Sequence, residues 1–132
     1  MKKISKIILF NKDKVLLQLR DNNPNIAHPN TWTLFGGNIQ NNESPESALK
    51  RELFEELGIT LDHFKKLFTK NRNQDGSSVE DHIFAAKIDK SILKNNLSEG
   101  QKMKFFSLSE IDKINVFLPF KKYISEFFIS QN

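Results

Sequence analysis

Residues 37–59 read GNIQNNESPESALKRELFEELGI. A spaced set of charges runs through them: Glu43, then Arg51-Glu52, then Glu55-Glu56, closed by Gly58. The pattern predicts a helix over 44–57. Ser44 is placed as its N-cap, Pro45 suits the first helical position, and Glu46 favours the positive end of the helix. Gly58 suits the residue after the last turn. Successive helical residues turn by about 100°, so Glu52, Glu55 and Glu56 fall within an arc of roughly 100°. Leu49, Leu53 and Leu57 occupy the adjoining arc and should anchor the helix to a core. Ala48 lies one turn before Glu52 and leaves room on the acidic side, while Arg51 flanks the acids on the other. A buried edge beside an acidic one puts the acids on the wall of a cleft. Three carboxylates at i, i+3 and i+4 make a hard-oxygen donor set suited to Mg²⁺ or Mn²⁺. Like charge on one helix face is destabilising unless something compensates it. Taken alone, Glu-x-x-Glu-Glu is common on exposed helices balanced by residues such as Lys50 and Arg51, so the surrounding sequence has to decide.

The chain has 132 residues, the size of one ordinary domain, and 38% of them are hydrophobic, twelve being Phe. An aromatic-rich core is therefore expected. The net charge of +4 favours anionic partners, but the basic residues are dispersed, with only short clusters such as Lys65-Lys66 and Lys121-Lys122. Nucleic acid is not the favoured partner. No cysteine is present, which excludes disulfides, thiolate catalysis and zinc–thiolate sites. The N-terminus, MKKISKIILFNKDK, places lysines before an apolar run. Ile7 to Phe10 is too short for the core of a signal peptide, and Asn11 to Lys14 interrupts it. No segment has transmembrane length. A cytoplasmic protein without a membrane partner is the expectation, with oligomeric state open, a dimer included.

Ile4 to Phe10 and Val15 to Arg20 read as strands joined by the polar turn Asn11 to Lys14. The continuous run from Ile7 to Phe10 suits a strand buried on both faces. Residues 21–30 hold two prolines and four asparagines and read as a loop. Thr31 to Phe35 reads as a short strand ending at Gly36-Gly37. Beyond the helix, Thr60 to Thr69 and Val79 to Ile88 read as strands around a polar turn near Asn71 to Ser78. Residues 91–102 are polar and irregular, Met103 to Leu108 is a last strand, and Ser109 to Ile111 starts a helical turn. Phe120, Tyr123, Ile124, Phe127 and Phe128 follow helical spacing, as in an amphipathic helix packed on the sheet. The order implies α/β (α+β) packing on a mixed sheet.

The spacing Gly37, five residues, Glu43, seven residues, Arg51-Glu52-Leu53, one residue, Glu55-Glu56, one residue, Gly58-Ile59 resembles the signature of the Nudix hydrolases at every defining position. Trp32 and the late SEGQKMKFFSLSEI stretch extend a looser likeness over most of the chain. Phe35, where many members carry proline, resembles a Leu-Phe-Gly-Gly subgroup. The resemblance implies one Nudix domain over 1–132, with a mixed sheet sandwiched between helices and the signature at 37–59. It implies cleavage of a nucleoside diphosphate linked to another group, with Mg²⁺ or Mn²⁺ as cofactor and a nucleotide or nucleotide derivative as partner. By motif position, Glu52, Glu55 and Glu56 are the metal ligands, joined by the Gly37 carbonyl. Arg51 and Glu43 form an orienting ion pair. Many members add a glutamate from a loop outside the motif as ligand or base. Glu99, in Ser98-Glu99-Gly100, resembles it, with Glu80 as competitor. Arg20, His28 and Phe35 are the candidate substrate contacts, and Asn30 lies in the same loop as His28. The aromatic rings of Trp32, Phe35 and Phe106 also read as core.

Members similar to the bacterial mutator protein read a purine with an asparagine just before the last helix. Here that region is Phe117-Leu118-Pro119-Phe120, and the nearest asparagine is Asn115. That departure argues against selectivity for oxidised guanine nucleotides. The leading expectation is hydrolysis of a nucleoside triphosphate or small derivative. The alternatives are a nucleotide-sugar hydrolase, a nucleotide sensor that does not cleave, and RNA 5′-end pyrophosphate removal, which would call for a focused basic groove.

Overall fold

The computed structural model describes residues 1–20, 25, 29–94 and 102–131. Strand β1 (Lys2–Asn11) turns back through Lys12 and Asp13 into β2 (Lys14–Leu19). The two pair only near the turn, from Asn11↔Lys14 to Leu9↔Leu16. Further out they diverge, and the segment that follows fills the fork. Its first part, β3 (Trp32–Thr33), pairs with Gln18 and Leu19 of β2. Its second part, β4 (Phe35–Asn38), pairs antiparallel with Ile4 to Ile7 of β1. The expected single strand from Thr31 is therefore broken after Thr33, and both glycines lie within β4 instead of ending a strand.

Helix α1 (Pro45–Leu57) follows, then the hairpin β5 (Lys65–Gln74) and β6 (Ser77–Lys87). Strand β6 runs parallel to β1, and β7 (Lys102–Ser107) runs antiparallel to β2. The order along the mixed sheet is β3-β2-β1-β6-β5, with β4 added on β1 and β7 on β2. Helices α2 (Leu108–Ile111) and α3 (Leu118–Ser130) complete the described elements, with a 3₁₀ turn at Lys90–Lys94. Ser107 and Glu110 form a reciprocal capping box at α2.

The sheet lies between two apolar layers. Ile7, Leu9, Leu16, Phe35 and Phe84 pack with Leu49, Leu53 and Leu57 of α1. Ile4, Ile8, Val15, Leu17 and Ile83 pack with Phe120, Tyr123, Ile124, Phe127 and Phe128 of α3. Ile7 and Ile8 are neighbours in sequence and serve opposite layers, which is why that run has no alternation. Two boundaries differ from the sequence reading. Residues 60–64 form no ladder: Ile59, Leu61 and Phe64 pack on the α1 layer as irregular chain, and β5 starts at Lys65. The β5–β6 turn is also tighter than 71–78. Asp75 and Gly76 both have positive φ, 52° and 83°, which matches a two-residue hairpin turn.

Candidate active site

The local design of α1 sets where its acids point. Ser44 Oγ accepts from Ser47 N at 3.0 Å, and Gly58, at φ 68°, donates to Phe54 O at 2.9 Å. Ser5 Oγ donates to Pro45 O at 2.7 Å and ties the start of the helix to β1. Leu49, Leu53 and Leu57 are buried, as is Ala48, so the helix cannot turn about its axis.

On the outer side of the acidic edge, Arg51 joins the helix to the preceding loop. Its Nε donates to Glu43 Oε2 at 2.7 Å, and Nη2 donates to Glu43 Oε1 and Asn38 O at 3.0 Å each. Its Nη1 donates to Glu52 Oε1 and Glu55 Oε1, both at 3.1 Å. Glu43 Oε1 also accepts from Gln40 N at 2.8 Å. The guanidinium holds the Glu43 carboxyl below the usual carboxylate range, and Glu43 foremost holds Arg51 above its own usual value. The like charge of the helix edge is thus compensated within the chain.

On the inner side, Glu56 is 4% exposed. Its Oε1 accepts from Gly36 N and its Oε2 from Gln18 Nε2, each at 3.0 Å. Burial pushes the Glu56 carboxyl above its ordinary pKa, against the pull of Lys6, Gln18 and Gly36. Lys6 is also buried. Its Nζ donates to Gly36 O at 3.0 Å and Leu34 O at 3.3 Å, and desolvation lowers its pKa. The two glycines are required for different reasons. Gly36 has φ 127°, and a Cβ there would overlap Ser5 O. At Gly37 a Cβ would overlap the Glu52 carboxylate, so this backbone lies directly against a motif acid.

The donor set among the described residues fits a hard divalent cation: carboxylate oxygens beside a glycine backbone. Two of the oxygens, from Glu52 and Glu55, already meet on one cationic nitrogen of Arg51. Among the described residues no three such side chains converge on a point, and Glu56 bonds Gly36 and Gln18. Arg51 holds one oxygen of each acid, Glu52 Oε1 and Glu55 Oε1, so an ion there would bind beside the guanidinium or in its place.

The other candidates separate. Phe35 is fully buried in the α1 layer, so its expected role as a substrate contact is withdrawn: a ring with no accessible surface cannot meet a ligand. Trp32 and Phe106 are core as well, with ring centroids 4.7 Å apart. Arg20 follows β2, half-buried, with its backbone N bonded to Thr31 O at 3.0 Å, and its charge is felt at Lys6. Glu80 is engaged elsewhere, with His82 Nε2 at 2.7 Å and Lys3 Nζ at 3.9 Å. His28 and Glu99 lie outside the described residues. Lys6 and Gln18 were missed by the sequence reading. The available signal was one charge and one amide inside otherwise apolar strands.

On the α3 side, Asp81 is fully buried and accepts from Arg72 Nε and Tyr123 OH, both at 2.6 Å. Its Oδ1 has no partner among the described residues. Burial, with Asp81 beside it, pushes the Tyr123 hydroxyl above its usual range. The Arg72 guanidinium lies 5.1 Å from the Phe117 ring centre and 5.8 Å from that of Phe120. A guanidinium thus stands by the segment where mutator-like members carry their asparagine. Two surface hollows touch Phe10, Phe127 and Gln131, one by the β1–β2 turn at Lys12 and Asp13 and the other by residues 62–65 and 85–87, and no motif carboxylate lines either. No described helix is long and apolar enough to cross a membrane.

Comparison with known proteins adds the family. The chain is 32% identical over 91 residues to the RNA pyrophosphohydrolase of Pasteurella multocida, a match covering 66% of this chain and 41% of that protein. It thus spans less than half the length of that curated relative. The crystal structure of a MutT protein from Methanosarcina mazei superposes with a TM-score of 0.81 at 23% identity, over 99% of this chain and 94% of that one. The NUDIX domain of Shewanella oneidensis NrtR, solved in complex with ADP ribose, superposes with a TM-score of 0.74 at 18% identity, over 99% and 87%. At these identities the two structures establish the fold. The model of the NUDIX domain family matches residues 4–127, nearly the whole length, and the chain belongs to that family.

Proposed function

We propose that this chain is a Nudix domain that acts as a cytoplasmic, Mg²⁺-dependent diphosphohydrolase on a nucleoside triphosphate or a small nucleoside-diphosphate derivative. The observation that carries this reading is the arrangement of Glu52 and Glu55 about one cationic nitrogen, with the Glu52 carboxylate against the Gly37 backbone. Glu52, Glu55 and Glu56 would hold the ion, with the Gly37 carbonyl and Glu99 as further ligands, and Mn²⁺ could replace Mg²⁺. When bound, the ion neutralises the diphosphate and lowers the pKa of a coordinated water.

The chain's own residues set the rest. Arg51 keeps the 38–43 loop against the helix through Glu43 and Asn38, and its Nη1 brings Glu52 and Glu55 together. Water attacks phosphorus, the P–O bond of the anhydride breaks, and the leaving group, diphosphate, a substituted phosphate or the nucleoside monophosphate, departs with the bonding pair. A carboxylate takes the proton of the water, and Glu99 and Glu56 are the candidates. Positioning and electrostatics carry the catalysis, and no covalent intermediate is needed. Arg20 and His28 are the candidate contacts to the substrate.

A nucleotide-sugar hydrolase would use the same acids and differ only in the leaving group. A sensor that binds without cleaving would tolerate loss of motif carboxylates, and this chain keeps them all. The test is a hydrolysis screen with Mg²⁺ and with EDTA. It covers NTPs, dNTPs, oxidised nucleotides, nucleotide sugars, ADP-ribose and 5′-triphosphate RNA. Metal-dependent turnover of a mononucleotide substrate is expected. Binding without turnover of any of them would shift the reading to a sensor, and turnover of the RNA alone would overturn the substrate class.

A further inference from the structure

The geometry points to Lys6 and Gln18 as positioning residues that seat Glu56 and the Gly36-Gly37 backbone for the cation held by α1. This rests on the reading above. The contacts close a ring. Lys6 Nζ donates to Gly36 O, Gly36 N donates to Glu56 Oε1, and Glu56 Oε2 accepts from Gln18 Nε2. Gln18 Nε2 then reaches Leu34 O at 3.5 Å, and Leu34 O accepts from Lys6 Nζ. Every side chain in the ring is buried. The ring encloses backbone 34–36, the middle of the segment that fills the fork between β1 and β2.

Three features assign the ring to the site and not to packing. Gly36 is held on both sides, its N–H by Glu56 Oε1 and its carbonyl by Lys6 Nζ, which ties Glu56 to the peptide that leads into Gly37. Each Glu56 oxygen spends one acceptor site on the ring and keeps the other, since a carboxylate oxygen has two lone pairs. Lysine is also a poor choice for a buried strand position on packing grounds. An apolar side chain would cover Phe120, whose ring centre lies 5.9 Å from Lys6 Nζ, without burying an ammonium. What lysine adds is a pair of donors for the fork carbonyls and a positive charge near the buried Glu56.

The test uses Lys6→Met and Gln18→Met in the full chain, with Mn²⁺ as the probe. Mn²⁺ affinity is read by electron paramagnetic resonance, alongside kcat, KM and thermal midpoint. Each variant should weaken Mn²⁺ binding and lower kcat by about 10- to 100-fold, the range for residues that orient metal ligands. KM at saturating metal should stay within about twofold, because the lost interaction is not one with the substrate. The double variant Lys6→Met/Glu56→Gln should bind Mn²⁺ no more weakly than Glu56→Gln alone, since residues acting through one another are not additive. The inference is overturned if both variants lower the thermal midpoint but keep wild-type Mn²⁺ affinity and kcat, or if the double variant shows additive losses. If Lys6→Met does not fold, Gln18→Met alone decides by the same criteria. A wild-type protein that binds no Mn²⁺ overturns the parent reading and this one together, before any variant is made.

Discussion

The acidic edge of α1 meets a different partner on each side. Outside, Arg51 bonds Glu43, Glu52 and Glu55 with its side chain 26% exposed and water close by. Inside, Glu56 meets Gly36 N and Gln18 with 4% of its surface exposed and the Lys6 charge behind it. Partly exposed ion pairs contribute little, about 0–1 kcal/mol each, and salt screens them. The outer contacts can therefore exchange the guanidinium for a cation at small cost. The inner contacts cannot rearrange so easily: leaving a buried polar group unpaired costs about 1–3 kcal/mol. One side of the helix is built to exchange partners and the other to stay fixed.

The largest expected effect breaks the fixed side. Glu56→Gln should lower turnover by about 10²–10⁴-fold with the fold intact, and initial rates with circular dichroism check this. Wild-type turnover would remove Glu56 from the site. Next comes the outside carboxylate. Glu99→Gln should slow turnover far more than Glu80→Gln, because Glu80 is committed to His82 and Lys3. Equal effects would place the second carboxylate elsewhere. On the exchangeable side, Arg51→Lys should lower kcat by about 10- to 100-fold. One ammonium cannot reproduce the forked bonds to Glu43, Asn38, Glu52 and Glu55. Unchanged kinetics would mean that the outer clamp positions nothing.

The smallest effect is in pH. Glu43 has its pKa lowered in the folded state, so its contribution is in place above the unfolded carboxyl pKa, about 4.3, and is lost as pH falls through the folded value. Glu56 has its pKa raised, so its contribution is complete below the unfolded pKa and is lost as pH rises through the folded value. In metal-free protein, Glu43→Gln should flatten the acid limb of the thermal midpoint against pH, and Glu56→Gln the opposite limb. The same flattening in both variants would contradict the contrast between the two sides.

Helix α1 was legible because each of its signals is local. Ser44, Pro45, the leucine spacing and Gly58 act within a few residues of one another, and the structure keeps all of them. The C-terminal aromatic stripe was legible for the same reason. Strand ends were less so. Ile59, Leu61 and Phe64 have the composition of a strand, but pairing depends on a neighbour that local sequence does not name. Phe35 read both as core and, if exposed, as a ring on which a base could stack, and only the packing of α1 over it shows that it is core. Lys6 and Gln18 were the hardest. A lysine near the start of a strand reads as solvated, and nothing local says that the fork brings Leu34 and Gly36 carbonyls to it.

The central claim is that the α1 edge holds a catalytic divalent cation. Mn²⁺ titration of the wild-type protein against Glu52→Gln, Glu55→Gln and Glu56→Gln, followed by electron paramagnetic resonance, tests it most directly. Saturable binding in the wild type that weakens in each variant, with circular dichroism unchanged, is the predicted result. Equal Mn²⁺ binding by all four proteins would contradict it.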